Sequence, residues 1–250
     1  MKNNTKDKII HTERYFPKLF SNMDITDYGI LFYNEDIKLS HDSNHAIILN
    51  EQLSDYSEII TKITKFYESK NIVPRIYSSL IPSQLNKFKH SLKKNNYKIE
   101  QYNNYYLIHN SKCIIKEPNT LKIKKIENEN DLHSMETFFE NNWNYKLLKE
   151  QIKNFNFHLL IGYENEIPVS KCSIQCVENI GRVDDVETKI EYRGKGYSRQ
   201  MIRFLIKYNY EICNNKFIYL WYSNKTAGKI YKEAGFTDYE NNFESWSAYK

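Results

Sequence analysis

With 250 residues, the chain is long enough for one large domain or two of ordinary size. A formal charge of +5, from 36 basic and 31 acidic side chains, suits an anionic ligand without requiring nucleic acid, and the 21 tyrosines are scattered with no repeated base-stacking signature. No run nears the roughly 18 apolar residues of a membrane span, and the start Met1-Lys2-Asn3-Asn4 opens no secretion signal, so a cytoplasmic protein with neither membrane nor nucleic-acid partners is expected.

In chain order, Asn44 to Asn50 reads as a strand, and Ile59, Ile60, Ile63, Phe66 and Tyr67 mark an amphipathic helix started by Ser54 or Ser57. Val73 to Ser78 reads as a strand that Pro74 confines to an edge or to the strand's first residues. Leu85, Phe88 and Leu92 set a second helix that ends at Asn95-Asn96, and Tyr97 to His109 supplies two short strands around Asn103-Asn104. A boundary near Lys116-Glu117-Pro118-Asn119 divides the chain into domains of residues 1–117 and 118–250.

The second half opens with a strand from Leu121 to Ile126. Two helices follow, Glu129 to Phe139 with Asp131 or Asn130 as its cap, and Tyr145 to Phe155, with a loop from Asn141 to Asn144 between them. Phe157 to Tyr163 and Ile167 to Val177 form a hairpin turning at Glu164-Asn165-Glu166. The next strand carries Asp184, Asp185 and Glu187, and strict alternation sets Asp184 opposite to the other two. Such a like-charge cluster raises carboxyl pKa values, which suits a base working near neutrality.

Arg193, Gly194, Lys195 and Gly196 then form a compact turn before a helix whose apolar face runs through Ile202, Leu205, Ile206, Ile212 and Cys213. Free amides and partial positive charge at a helix start suit a phosphate group. A P-loop needs four residues between its first Gly and Gly-Lys-Ser/Thr, and none is present. A dinucleotide fingerprint needs Gly where Arg199 stands. After a break at Asn214-Asn215, Phe217 to Tyr222 reads as a buried strand and Asn224 as a helix cap. Ala227, Ile230, Tyr231 and Ala234 share the face of the helix that follows, and Gly235 supplies a left-handed stop.

The stretch from Arg193 through Gly196 to Ser198 resembles the Gln/Arg-x-x-Gly-x-Gly/Ala loop of the GNAT (Gcn5-related N-acetyltransferase) superfamily, with Ser198 a small departure at the last position. The run from Asn224 through Ala227, Ile230 and Tyr231 to Gly235-Phe236 resembles a second segment of the same superfamily, in the right order and over residues 119 to 250. The resemblance implies an α+β, three-layer αβα fold with a mixed, mostly antiparallel central sheet. It implies an N-acetyltransferase that uses acetyl-CoA as cosubstrate and transfers directly, without an acyl-enzyme. Backbone groups of Val186, Glu187 and Thr188 would hold the pantetheine arm, and Arg193, Gly194, Lys195, Gly196, Tyr197 and Ser198 the pyrophosphate. Asn224 matches a cofactor contact, although capping alone explains it, and Tyr231 matches the general acid.

Glu187 and Asp184 both remain open as the base, with Asp185 facing the acceptor. Trp143 and Tyr145 stand where the family borders its acceptor pocket, and they fit core aromatics equally well. The acids favour a cationic small-molecule amine over an acidic acceptor. A noncatalytic CoA-binding module and a protein N-terminal acetyltransferase are the alternatives, and the oligomer would be a monomer or homodimer. Helix, strand, helix, strand, strand in the first half mirrors residues 198 to 246, so residues 1–117 read as a degenerate GNAT-like half or an unrelated α/β domain. Cys172 and Cys176 stand four apart, roughly 13 Å on a strand, with no second ligand pair; free thiols and no metal site are expected.

Overall fold

The structure, a computed structural model, describes residues 2–52, 54–111, 120–138, 142–239 and 242–250. The chain forms two compact units, Met1–Asn103 with Asn241–Lys250, and Asn104–Glu240.

In chain order the first unit contains α1 (Lys2–Tyr15), β1 (Asn22–Ile25), β2 (Gly29–Tyr33), β3 (His45–Ile48), α2 (Ser57–Ser69), β4 (Arg75–Tyr77), α3 (Gln84–Lys94) and β5 (Lys98–Tyr102). Antiparallel β1–β2–β3 continues into a parallel β3–β4 pair, with α2 as its crossover. Ile60, Ile63 and Tyr67 of α2 and Phe88 and Leu92 of α3 are buried in one core cluster, as their helical spacing dictates. Pro74 immediately precedes β4, where its missing N–H leaves the ladder intact.

The second unit contains β6 (Tyr105–His109), β7 (Lys122–Ile126), α4 (Glu129–His133), α5 (Asn142–Gln151), β8 (Phe157–Glu164), β9 (Ile167–Val177), β10 (Ile180–Thr188), α6 (Tyr197–Glu211), β11 (Phe217–Tyr222), α7 (Lys225–Glu233) and β12 (Thr237–Asp238). Its sheet runs β12-β6-β11-β10-β9-β8-β7, antiparallel except for β10–β11. One face packs Cys172 and Ile174 against Met201, Ile202 and Leu205 of α6. The other packs Leu159 and Ile161 against Leu132 and Leu148 of α4 and α5. The last strand, β13 (Ser245–Tyr249), returns to the first unit and pairs antiparallel with both β4 and β5.

Three expectations change. The strands on either side of Asn103-Asn104 form, but they do not pair with each other: β5 pairs β13, and β6 pairs β11 and β12. The boundary expected at 117/118 falls at residues outside those described; the compact second unit begins at Asn104, because β6 belongs to its sheet. Helix α4 is capped by neither Asp131 nor Asn130 but by Asn128, whose Oδ1 accepts the Asp131 N–H at 3.0 Å. Among the described residues no helix is long and apolar enough to cross a membrane.

Candidate functional site

The site grows from a local conflict between two strand pairings. Strands β10 and β11 are paired only at Ile180↔Phe217, Gly181↔Ile218 and Arg182↔Tyr219. Beyond that point β10 stays with β9, through Glu187↔Lys171 and Thr188↔Ser170, while β11 stays with β6, through Leu220↔Leu107 to Tyr222↔Tyr105. A gap opens between the two central strands. The register of β10 also shifts between Asp184 and Glu187, at a bulge where Asp185 takes a left-handed φ of 53°.

At the mouth of this gap lies a cleft of about 730 Å³. Val186, Glu187, Thr188, Arg193, Gly194, Lys195, Gly196, Tyr197, Ser198 and Asn224 all line it, ten of the eleven residues expected at the cofactor; Tyr231, Asp184, Asp185 and Tyr145 are not in its lining. Gly194 and Gly196 adopt φ of 83° and 78°, which an L side chain resists. Gly196 is the N-cap of α6 and makes no side-chain cap bond, leaving that helix start to an outside acceptor. The loop is tied back to β10: Arg193 Nε donates to the Thr188 carbonyl at 3.1 Å, and the Thr188 and Ser198 hydroxyls meet at 2.8 Å. The hydroxyl that distinguishes Ser198 from Gly or Ala is thus used within the protein.

The cations around this cleft differ in their partners. Lys195 pairs with Glu164 at 3.2 Å, and Arg199 with Glu233 at 3.0 Å. Arg193 has no carboxylate partner among the described residues, so its charge is available to an anion. Glu164, which the sequence marks only as part of a hairpin turn, also accepts the Tyr197 hydroxyl. Asn224 Oδ1 caps α7 by accepting the Thr226 N–H at 2.8 Å, so it both starts a helix and faces the cleft.

Tyr231, on α7, is partly buried against the α6-side core, with its ring 6.4 Å from that of Tyr222. Burial, and then the Asp184 charge, push its phenol up to about 12, so it keeps its proton at any physiological pH.

Across the sheet from α6, Lys171, Ser173 and Gln175 of β9 sit opposite Ile161, Leu159 and Phe157. They extend the apolar face under α4 and α5 as a buried polar strip. The alternation Ser170-Lys171-Cys172-Ser173-Ile174-Gln175 is the signal that carries this strip in the sequence. Asp184 and Glu187 register opposite Ser173 and Lys171. The bulge therefore puts them on one face, correcting the expectation from strict alternation. Asp184 pairs with buried Arg182, which also donates to Gln175 at 3.1 Å, and Glu187 pairs with Lys171 at 3.2 Å. Asp185 has no ion pair among the described residues; burial first, and Asp184 second, push its carboxyl up to about 6. Tyr145 stands on a helix as expected, though α5 already includes Asn142, Trp143 and Asn144 of the expected loop, and it packs against the apolar cluster there. The Trp143 side chain lies outside the described residues.

A family model for the acetyltransferase (GNAT) domain matches residues 122–246, half of the chain. A GCN5-related N-acetyltransferase from Kribbella flavida is 11% identical over 97% of this chain and 94% of its own, at a TM-score of 0.68. A functionally unknown conserved protein from Staphylococcus epidermidis ATCC 12228 is 13% identical over 93% and 94%, at 0.62. A GCN5-related N-acetyltransferase-like protein from Streptococcus suis 89/1591 is 10% identical over 100% of both chains, at 0.57. At such identities the likeness is one of fold. No curated protein matches the chain.

Proposed function

On the premise that this chain belongs to the acetyltransferase (GNAT) family, we propose that it transfers an acetyl group from acetyl-CoA to the primary amine of a small cationic acceptor. The observation that carries this reading is the parting of β10 from β11 beside a glycine turn that starts α6. One crevice thereby joins unpaired strand edges, suited to an amide-bearing arm, to a helix start suited to a diphosphate.

Acetyl-CoA, a substrate here, supplies the activated acyl group. The amides at the start of α6 and the Arg193 guanidinium bind its pyrophosphate. Backbone groups of Val186, Glu187 and Thr188 orient the arm, and an amide there polarises the thioester carbonyl. Tyr231 holds the proton that the departing thiolate needs. Asp185 takes the proton from the incoming ammonium, because its carboxyl has no ion pair among the described residues and is raised toward neutrality. Asp184 and Glu187, neutralised by Arg182 and Lys171, position that carboxyl. Three carboxylates against two cations leave the strip net negative, which favours a cationic amine.

The first unit reads as a second, degenerate copy of the same chain path. In both units a parallel strand pair is bridged by a helix, then a helix leads to an outer strand. The slot between the last two positions is filled by β13 in one sheet and β6 in the other. No glycine turn follows β3, so the copy lacks the anion-binding loop.

Calorimetric titration with CoA alone tests the cofactor assignment, and a panel of amines with acetyl-CoA, read by free-thiol release, tests the transfer. Absence of CoA binding at millimolar ligand would overturn the reading.

A further inference from the structure

We propose that His158, Cys176 and Cys213 form a binding site for a zinc(II)-class metal ion at the C-terminal end of α6. The three donor atoms lie within 4.8 Å of one another. They come from three separate places: β8, β9, and the two residues that follow α6. Register explains the first two. His158 sits opposite Ile174, so it projects to the same side as Ile174 and Cys176, the side that α6 covers. Cys213 is brought over them where α6 stops, its N–H bonded to the Tyr208 carbonyl at 3.1 Å. Spacings of 18 and 37 residues hide such a trio from any motif search.

The donors are held from outside the trio. The Tyr208 hydroxyl stands 3.1 Å from His158 Nδ1, with the two rings edge to face at 5.3 Å. Asn215 Nδ2 donates both to Cys176 Sγ at 3.2 Å and to Asn209 Oδ1 at 2.9 Å. Metal ligands are commonly oriented by such outer hydrogen bonds. Two sulfurs and an imidazole select a borderline-soft ion with tetrahedral preference, and solvent supplies the fourth ligand.

Charge favours the same ion. Binding a divalent cation releases both thiol protons to solvent, so the site stays neutral. The carbonyl end of α6 adds partial negative charge, which attracts a cation. Cys176 is buried while His158 and Cys213 are half-buried, so the donors are sheltered yet reachable. Fifteen residues of α6, about 22 Å of helix at ~1.5 Å per residue, separate the trio from the glycine turn. The ion would pin the far end of the helix whose start meets the cleft, and its binding does not depend on what the cleft binds.

The test is a cobalt(II) titration of the reduced full chain, followed by zinc(II) displacement. The expected result is a near-ultraviolet thiolate-to-cobalt absorption that saturates at about one equivalent, disappears on adding zinc, and is lost in C213S and H158Q. Zinc should also raise the melting temperature of the wild type, and circular dichroism checks that both variants are folded. An absorption absent from the wild type, or unchanged in folded C213S, overturns the proposal. So does a Cys176–Cys213 disulfide whose reduction yields thiols that bind no cobalt, which would make the pair a redox couple.

Discussion

Replacing Asp185 with asparagine should separate stability from turnover. The folded protein holds the carboxyl proton at about 6, against an ordinary value of 3.8, because the charged form is poorly solvated and faces Asp184. A gap of roughly two pH units corresponds to about 3 kcal/mol. That figure is an upper bound, since the side chain is partly open to solvent. The native state binds this proton more tightly than the unfolded chain. The contribution to stability is therefore fully present below the unfolded value of 3.8 and lost as pH rises through about 6. D185N cannot ionise, and asparagine tolerates the left-handed φ of 53° as well as aspartate does. Denaturant unfolding should find the two proteins equally stable near pH 3, with D185N ahead by up to about 3 kcal/mol near pH 8. Its rate of acetyl transfer should fall by roughly 10²–10⁴. Equal stability at pH 8, or undiminished turnover, refutes the assignment of Asp185 as the proton acceptor.

Two further outcomes concern the cleft. Y231F removes the phenolic proton assigned to the departing thiolate while keeping the ring, so kcat should drop by roughly 10²–10⁴ with CoA affinity unchanged; a variant of normal rate would dismiss Tyr231 as the acid. At Gly194 an added Cβ would meet nothing within 4 Å, so G194A feels only its φ of 83°. That strain is about 1–2 kcal/mol, and it should appear as a roughly 5- to 30-fold loss shared between CoA affinity by calorimetry and melting temperature. No change in either would mean the left-handed turn is not what ligand binding uses.

The functional half of the fold was legible because its signals are local. Glycines at 194 and 196, the Asn224 cap, the Gly235 stop and the period of α6 each act within a turn or two of chain. What sequence did not carry was pairing. The pattern of Tyr97 to His109 is the same whether its strands join each other or two different sheets, and only long-range partners decide. The bulge at Asp185 was equally silent, because Asp-Asp-Val-Glu fits regular alternation and aspartate merely tolerates left-handed backbone. Helix α1 is not legible in the sequence because its polar run Lys2–Tyr15 has weak apolar periodicity. Strand β2, Gly29–Tyr33, is buried over its first four residues and shows no alternation.

Pairing has a consequence for where the catalytic unit can be cut. Strand β11 is free to leave β10 only because β6 holds its other edge over all five positions from Ile218↔His109 to Tyr222↔Tyr105. A fragment of residues 118–250, the division the sequence suggests, lacks β6. It exposes the β11 edge, unpairs β12, and removes Tyr106, Leu107 and Ile108, which are 3%, 0% and 8% exposed. At about 1.5–3 kcal/mol per buried side chain, the loss is roughly 5–9 kcal/mol. That matches the whole stability of an ordinary domain, about 5–15 kcal/mol. The fragment should therefore fail to show a cooperative unfolding transition and should not bind CoA, whereas one of residues 104–240 keeps every strand of the sheet. Full-affinity CoA binding by the 118–250 fragment would show that the gap between β10 and β11 stands without β6 to keep it open.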